Sequence, residues 1–295
     1  MTGDAATGSS PVGESGALRP TIAARYRLLV FVLAAAAGIL GLRVALASFE
    51  GTASTVFGVR IPAFYVTMSG GLLLGHWWTI RSVEPRGWSA VSLGRAQLRW
   101  RVLAAGVALG AVAVGGPSAL LLLAGWLRIE PSPPGDWVRA ALTTLAVLVP
   151  AALWEELLTR GYLFALIRDA VGARRAIVVT SVMFGLLHVQ NAGATWQSIA
   201  LVTLAGIFLG SILVATGSLY AAWAAHVAWN FVMAGVLHTT VSGFGMGAPN
   251  YRTVDAGPDW ATGGTWGPEA GLITGLGLLS GIYIMLRRTR RGAEQ

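Results

Sequence analysis

Apolar residues crowd into eight stretches near 20 residues long, at about 28–48, 61–80, 102–127, 138–167, 176–191, 194–215, 219–238 and 268–286. A helix rises about 1.5 Å per residue and the hydrocarbon core of a bilayer is roughly 30 Å thick, so runs of this length predict transmembrane helices. The pattern therefore predicts an all-α polytopic membrane protein of about eight spans, with its transmembrane domain over 26–286. Residues 1–20, rich in Gly, Ser, Ala and Pro, predict a disordered tail, and 287–295 a basic tail. The first run has two features of a cleavable signal peptide, Arg25 and Arg27 before it and Ala45-Leu46-Ala47 after it. Its 27-residue lead and the seven further runs fit an uncleaved signal-anchor better.

The segments between the runs are mostly short. Pro131, Pro133 and Pro134 mark a loop after the third run, and Thr216-Gly217-Ser218 is brief enough to make the sixth and seventh helices an antiparallel hairpin. The one long connection, 239–267, is Gly-rich and polar and reads as a spacer, or alternatively as a flexible lid. No internal repeat of the transporter kind is evident. Gly106/Gly110, Gly206/Gly210, Gly271/Gly275 and Gly277/Gly281 stand four apart, a spacing for close helix packing in lipid. Pro117 and Pro150 predict kinks.

Composition narrows the chemistry. Of 295 residues 55% are hydrophobic and only 12% charged, against roughly 25% charged in soluble domains. There is no cysteine, which excludes disulfides, thiolate metal sites and a thiol nucleophile. The net charge of +8 comes from 21 basic residues, all arginine. Fifteen of these fall on one side of the predicted spans and only Arg60, Arg128, Arg139 and Arg252 on the other. That asymmetry orients a multi-pass protein of the cell membrane with both termini cytoplasmic, and it argues against a nucleic-acid partner.

Three spans carry unusual polar residues. The fourth contains Glu155-Glu156 and Arg160, where each ionised group at mid-membrane costs about 2.5–3.5 kcal/mol on insertion scales. Glu156 and Arg160, four apart, share a helix face as an ion pair, whereas Glu155 is turned away and left free to act as a general base. A purely structural charge cluster is the alternative. The fifth span contains Phe184 and His188, the seventh His226 and Asn230 on one face; a lone packing histidine and an interhelical hydrogen-bond pair are the alternatives there. Counting about 1.5 Å per residue from the flanking arginines puts Glu155 and His188 at one depth of roughly 20 Å, with His226 and Asn230 near enough to share one polar cavity. His76 and His238 read as interfacial residues, and Trp154, Trp223 and Trp229 as packing beside the motifs.

In order along the chain, Glu155-Glu156-x-x-x-Arg160, Phe184-x-x-x-His188 and His226-x-x-x-Asn230 resemble the signatures of the CAAX prenyl protease and bacteriocin-processing intramembrane endopeptidases. Each motif alone is weak, but three in order on three spans are specific. The resemblance covers 138–238 and says nothing of the tails or of 239–267. It implies a glutamate-dependent peptidase in which Glu155 and His188 activate a water while His226 and Asn230 stabilise the oxyanion. Glu156, Arg160 and Phe184 would support the site, Glu156 and Arg160 organising the cavity or holding a substrate carboxylate. No cofactor is then required. The alternative is zinc on Glu155, His188 and His226 as an open three-ligand set. The implied partners are membrane lipid and a peptide or membrane-associated protein substrate. A non-enzymatic immunity or scaffold protein, and a small-solute transporter, are readings from other classes.

Overall fold

The computed structural model describes residues 23–47, 55–56, 59–60 and 62–293; the tail over 1–20 and the last two residues lie outside them. The chain is helical nearly throughout. In order come α1 (Ala24–Ala47), a pair of two-residue strands β1 (Thr55–Val56) and β2 (Val59–Arg60), α2 (Ala63–Val83), α3 (Trp100–Leu123), β3 (Leu127–Pro131), α4 (Trp137–Arg160), α5 (Tyr162–Val171), α6 (Ala173–Leu186), α7 (Trp196–Thr216) and α8 (Leu219–Phe231). A π-helical turn (Val232–Leu237), β4 (Tyr251–Asp255), the short α9 (Asp259–Thr262) and α10 (Leu272–Ala293) complete it. Among the described residues five segments are long and apolar enough to cross a membrane: Ala24–Ala47, Trp100–Leu123, Trp137–Val171, Trp196–Thr216 and Leu219–Leu237.

Each of the eight apolar runs corresponds to helix, but two differ from the expected spans. The run 138–167 is not one helix: it breaks at Gly161 into α4 and α5. The cause is a contact that local sequence does not display. His76, fully buried on α2 rather than interfacial, turns Nε2 to accept the Tyr162 amide at 3.0 Å while its Nδ1 faces the Leu72 carbonyl at 2.7 Å. A Cβ at position 161 would strike that imidazole, so only glycine fits. The run 176–191 likewise shortens to the 14 residues of α6, about 21 Å of rise, and His188 lies in the turn beyond it. The supposed basic tail is also helical, since α10 continues to Ala293.

Small residues set the packing as expected. Gly106 and Gly110 of α3 lie against the Ala221 and Ala225 carbonyls of α8, closer than any Cβ allows. Gly217, in the left-handed region at φ 64°, makes the tight hairpin between α7 and α8. Both prolines sit inside continuing helices. Near Pro150, its own carbonyl accepts from Ser69 Oγ at 2.8 Å and that of Val149 from Trp223 Nε1 at 3.0 Å, tying α4 to α2 and α8.

The 239–267 connection is neither loose lid nor plain spacer. Its β4 pairs antiparallel with β3 from Leu127↔Asp255 to Pro131↔Tyr251. The π turn frees backbone carbonyls at the end of α8, and β4 takes them up: Tyr251 Oη donates to Val236 O at 2.5 Å and Thr253 Oγ1 to Leu237 O. His238 stacks on Tyr251 with ring centroids 4.4 Å apart. The connection is thereby folded over the end of α8, directly above the motif residues of that helix.

Candidate active site

Glu155 and Glu156 are adjacent, and one helical step of about 100° sends them to different surroundings. Glu156 is fully buried. Its Oε1 accepts from Arg160 NH1 at 3.0 Å, the expected ion pair one turn along α4. The guanidinium, 1% exposed, also donates to Thr159 Oγ1 at 2.8 Å and to the Gly206 carbonyl of α7 at 2.9 Å. It is thus consumed inside the protein and does not line the cavity, so the expectation that Arg160 could hold a substrate carboxylate is overturned. The phenyl ring of Phe184 covers it, 4.4 Å from guanidinium to ring centroid, a cation–π contact in a dry site.

A second donor reaches the same carboxylate. His226 Nδ1 lies 3.0 Å from Glu156 Oε1, and since a carboxylate oxygen accepts, Nδ1 carries the proton. The other ring nitrogen, Nε2, then points to Glu155, 3.8 Å from its Oε2. His188 presents itself in the same way: Nδ1 faces the Phe184 carbonyl at 2.8 Å, leaving Nε2 4.0 Å from Glu155 Oε2. Phe184 separates the two imidazoles, with ring centroids 4.9 Å from His188 and 5.7 Å from His226. That one residue packs both histidines and the arginine explains its place in the motif.

Among the described residues Glu155 Oε2 has no hydrogen-bond partner although it is buried, and buried polar atoms are seldom left so. It faces a cavity of about 270 Å³ lined by Glu155, His188, His226 and Asn230 together with Tyr65, Trp154, Asn191, Ser242, Phe244 and Met246. All four residues expected to be catalytic therefore meet in one place, even though the count of helical rises that suggested it ran through the break at Gly161. Aromatic and aliphatic side chains share the wall with polar groups, of which His188 and His226 face Glu155. Of the tryptophans, Trp154 lines the cavity, Trp223 serves the Val149 carbonyl and Trp229 donates to Glu269.

The donor set bears on metal as well. With both Nδ1 atoms engaged, two imidazole Nε2 atoms and a carboxylate oxygen converge, which is chemistry zinc accepts. Among the described residues, however, no group of three or more His, Asp or Glu is spaced to hold a metal ion.

Sequence reasoning missed the contribution of the 239–267 connection and of Glu269. Ser242, Phe244 and Met246 of this connection form part of the cavity wall, and Glu269 anchors it. A carboxylate in a run otherwise apolar enough to begin a span was the available signal.

Residues 137–232, about a third of the chain, match the family model described as type II CAAX prenyl endopeptidase Rce1-like. The matched segment contains all three motifs. Searches of curated proteins and of solved structures gave no match.

Proposed function

We propose, from the match of residues 137–232 to a CAAX prenyl endopeptidase family model, that this chain is an intramembrane endopeptidase cleaving a membrane-associated polypeptide with a water activated by Glu155. One observation carries the reading: Glu155 Oε2, buried and without a hydrogen-bond partner among the described residues, faces two histidine Nε2 atoms at 3.8 and 4.0 Å while its neighbour Glu156 is neutralised by Arg160. Two acceptors 4.0 Å apart leave room for one oxygen about 2.8 Å from each. A water there donates one proton to Glu155 and the other to His188 Nε2, which turns its lone pair toward a scissile carbonyl. Attack moves a proton to Glu155, which delivers it to the leaving amine.

The oxyanion falls to His226 and Asn230. His226, its Nδ1–H held by Glu156, serves as an imidazolium donating from Nε2, and Asn230 donates from its amide. With His226 charged, Arg160 and His226 balance Glu155 and Glu156, so the buried cluster is neutral overall, as low-dielectric surroundings require. The aromatic and aliphatic wall suits a lipid-embedded or lipidated segment. Trp154 and Tyr65 stand at the α2 and α4 side of the cavity, where such a segment enters from the bilayer.

The test is a comparison of membrane fractions from cells expressing the native chain or Glu155→Gln at equal levels, with new protein N-termini identified by mass spectrometry. Cleavage products that require Glu155 support the peptidase reading. Identical sets of termini refute it and favour a non-enzymatic binding role for the same cavity.

A further inference from the structure

Beyond the three motifs, a third acidic residue is built into the site. The segment Val241-Ser242-Gly243-Phe244 closes on itself, Val241 N donating to Phe244 O at 2.9 Å and Phe244 N to Val241 O at 2.8 Å. Its central residues both have positive φ, 49° at Ser242 and 85° at Gly243. This is the primed turn that favours Asn-Gly, so Ser242 occupies a backbone position unfavourable to it. The turn nevertheless forms part of the cavity wall, and something must hold it there.

Glu269 does so. Its carboxylate, on the turn Pro268–Ala270 and 5% exposed, accepts four hydrogen bonds. Oε1 takes Ser242 N and Ser242 Oγ, each at 2.7 Å, and Trp266 Nε1 at 3.2 Å; Oε2 takes Trp229 Nε1 at 3.0 Å. Asn191 adds a fifth tie, its Nδ2 donating to Ser242 O at 3.1 Å. The two oxygens thus serve different elements, one the turn and the other α8 at the residue preceding Asn230. A small void of about 20 Å³ runs between Glu269, Ser242, His188, His226 and Asn230, so this anchor and the motif residues are one packed unit.

We propose that Glu269 is a positioning residue of the peptidase: by clamping the Val241–Phe244 turn to α8 it fixes the cavity wall and the placement of Asn230. The proposal rests on the peptidase reading for its effect on turnover, but the clamp itself has a readout that does not. Glutamine at 269 keeps a carbonyl for the three donors on Oε1 and sets an amide N–H against Trp229 Nε1–H. Glu269→Gln therefore loosens α8 while keeping the turn, whereas Glu269→Ala releases both.

The experiment combines kinetics with thiol labelling in a chain that has no native cysteine. Glu269→Gln is expected to lower kcat about tenfold with KM within about twofold. Adding Trp229→Phe removes the opposed donor and should restore part of that loss, a non-additivity that general destabilisation does not give. For the clamp, Val241→Cys places a thiol at a position 9% exposed. A water-soluble maleimide should label it slowly in the otherwise native chain and in the Glu269→Gln background, and at least about tenfold faster with Glu269→Ala, as a locally opened segment requires. Unchanged labelling with Glu269→Ala overturns the clamp. Faster labelling with unaltered kcat in Glu269→Gln overturns the positioning role. If the native chain cleaves nothing, the peptidase reading falls while labelling still decides the clamp. Should Glu269→Ala fail to fold, Trp229→Phe alone, which removes the Oε2 partner and keeps an aromatic ring, is read by the same kcat and KM split.

Discussion

Glu156 and His226 are joined through a single oxygen, the Oε1 atom that also accepts from Arg160, each at 3.0 Å. The carboxylate next to a free one is therefore not a spare. It carries the charge that keeps a guanidinium inside the protein and, by accepting from Nδ1, orients the imidazole ring that faces Glu155. One residue in this way links the stability of the site to its chemistry.

The first prediction separates the two glutamates. Glu155→Gln keeps size and removes the basic oxygen, so peptidase activity should disappear while the melting temperature in detergent moves little. Glu156→Gln leaves Arg160 buried without its counter-charge, and breaking such a pair costs about 3–5 kcal/mol. It should therefore lower expression and thermal stability, and should also reduce turnover in whatever protein folds, because His226 loses its carboxylate acceptor. Interchanged phenotypes would show that the free base has been assigned to the wrong carboxylate.

Asn230 tests the oxyanion assignment. If its amide acts only on charge that develops during attack, Asn230→Ala should lower kcat by about 10²–10³ and leave KM nearly unchanged. A rise in KM at constant kcat would make Asn230 a ground-state binding residue instead.

Much of the site was legible in the sequence for a simple reason: its strongest relationships are local. The ion pair of Glu156 with Arg160 and the shared face of His226 and Asn230 follow from spacings of four on helices, and the turn that ends α6 still brings His188 back onto Phe184 four residues earlier. The helix break was not legible, because His76 makes it from 86 residues away. Nor was the Glu269 clamp, whose partners Trp229 and Ser242 lie 40 and 27 residues distant. Where a span is interrupted by a long-range hydrogen bond, hydrophobic periodicity continues undisturbed and reports one helix where there are two.

A prediction about pH concerns the end of α2 rather than the cavity. Glu84 pairs with both Arg27 of α1 and Arg86, and Arg27 in turn donates to Tyr162 Oη at 3.0 Å. Burial pushes the Glu84 carboxyl up, but the hydrogen bond from Arg86 and the charges of Arg86 and Arg27 outweigh it and hold the pKa below the ordinary 4.5. A depressed folded-state pKa contributes stability above the unfolded value that is lost as pH falls through the folded one. Thermal melts should accordingly show a loss of stability below about pH 4.5 that Glu84→Gln abolishes, that variant being less stable than the native chain at pH 7. An acid profile identical in both would remove Glu84 from this role.

Topology is tested by sidedness. The arginine distribution predicts both termini in the cytoplasm and the β3–β4 pair opposite. A reporter fused after Arg291 and another inserted at the exposed Gly247 should report opposite sides of the membrane, the first cytoplasmic. Reports from the same side would refute this orientation, and with it any assignment of the side from which substrate arrives.

The last prediction separates glutamate from metal catalysis, because the ring orientations of His188 and His226, Nε2 toward Glu155, suit either. In the proposed mechanism the gap between Glu155 and the two Nε2 atoms holds a water, and the positive charge near the oxyanion comes from His226, whose Nδ1–H is braced by Glu156. Purified protein should then carry far less than one zinc per chain and keep its activity through prolonged chelation, dialysis being long enough for a buried site to exchange. In the alternative, Glu155, His188 and His226 would hold a zinc ion, which would supply the activation of water and make an imidazolium unnecessary. The two differ in a second, independent way. Zinc would need His226 as a neutral ligand, so Glu156→Gln would weaken metal retention through the altered Nδ1 partner, whereas without a metal the same change would lower turnover of the folded protein through the charge on His226. Stoichiometric zinc whose removal abolishes cleavage, and whose return restores it, would replace the glutamate mechanism while leaving the same three side chains at its centre.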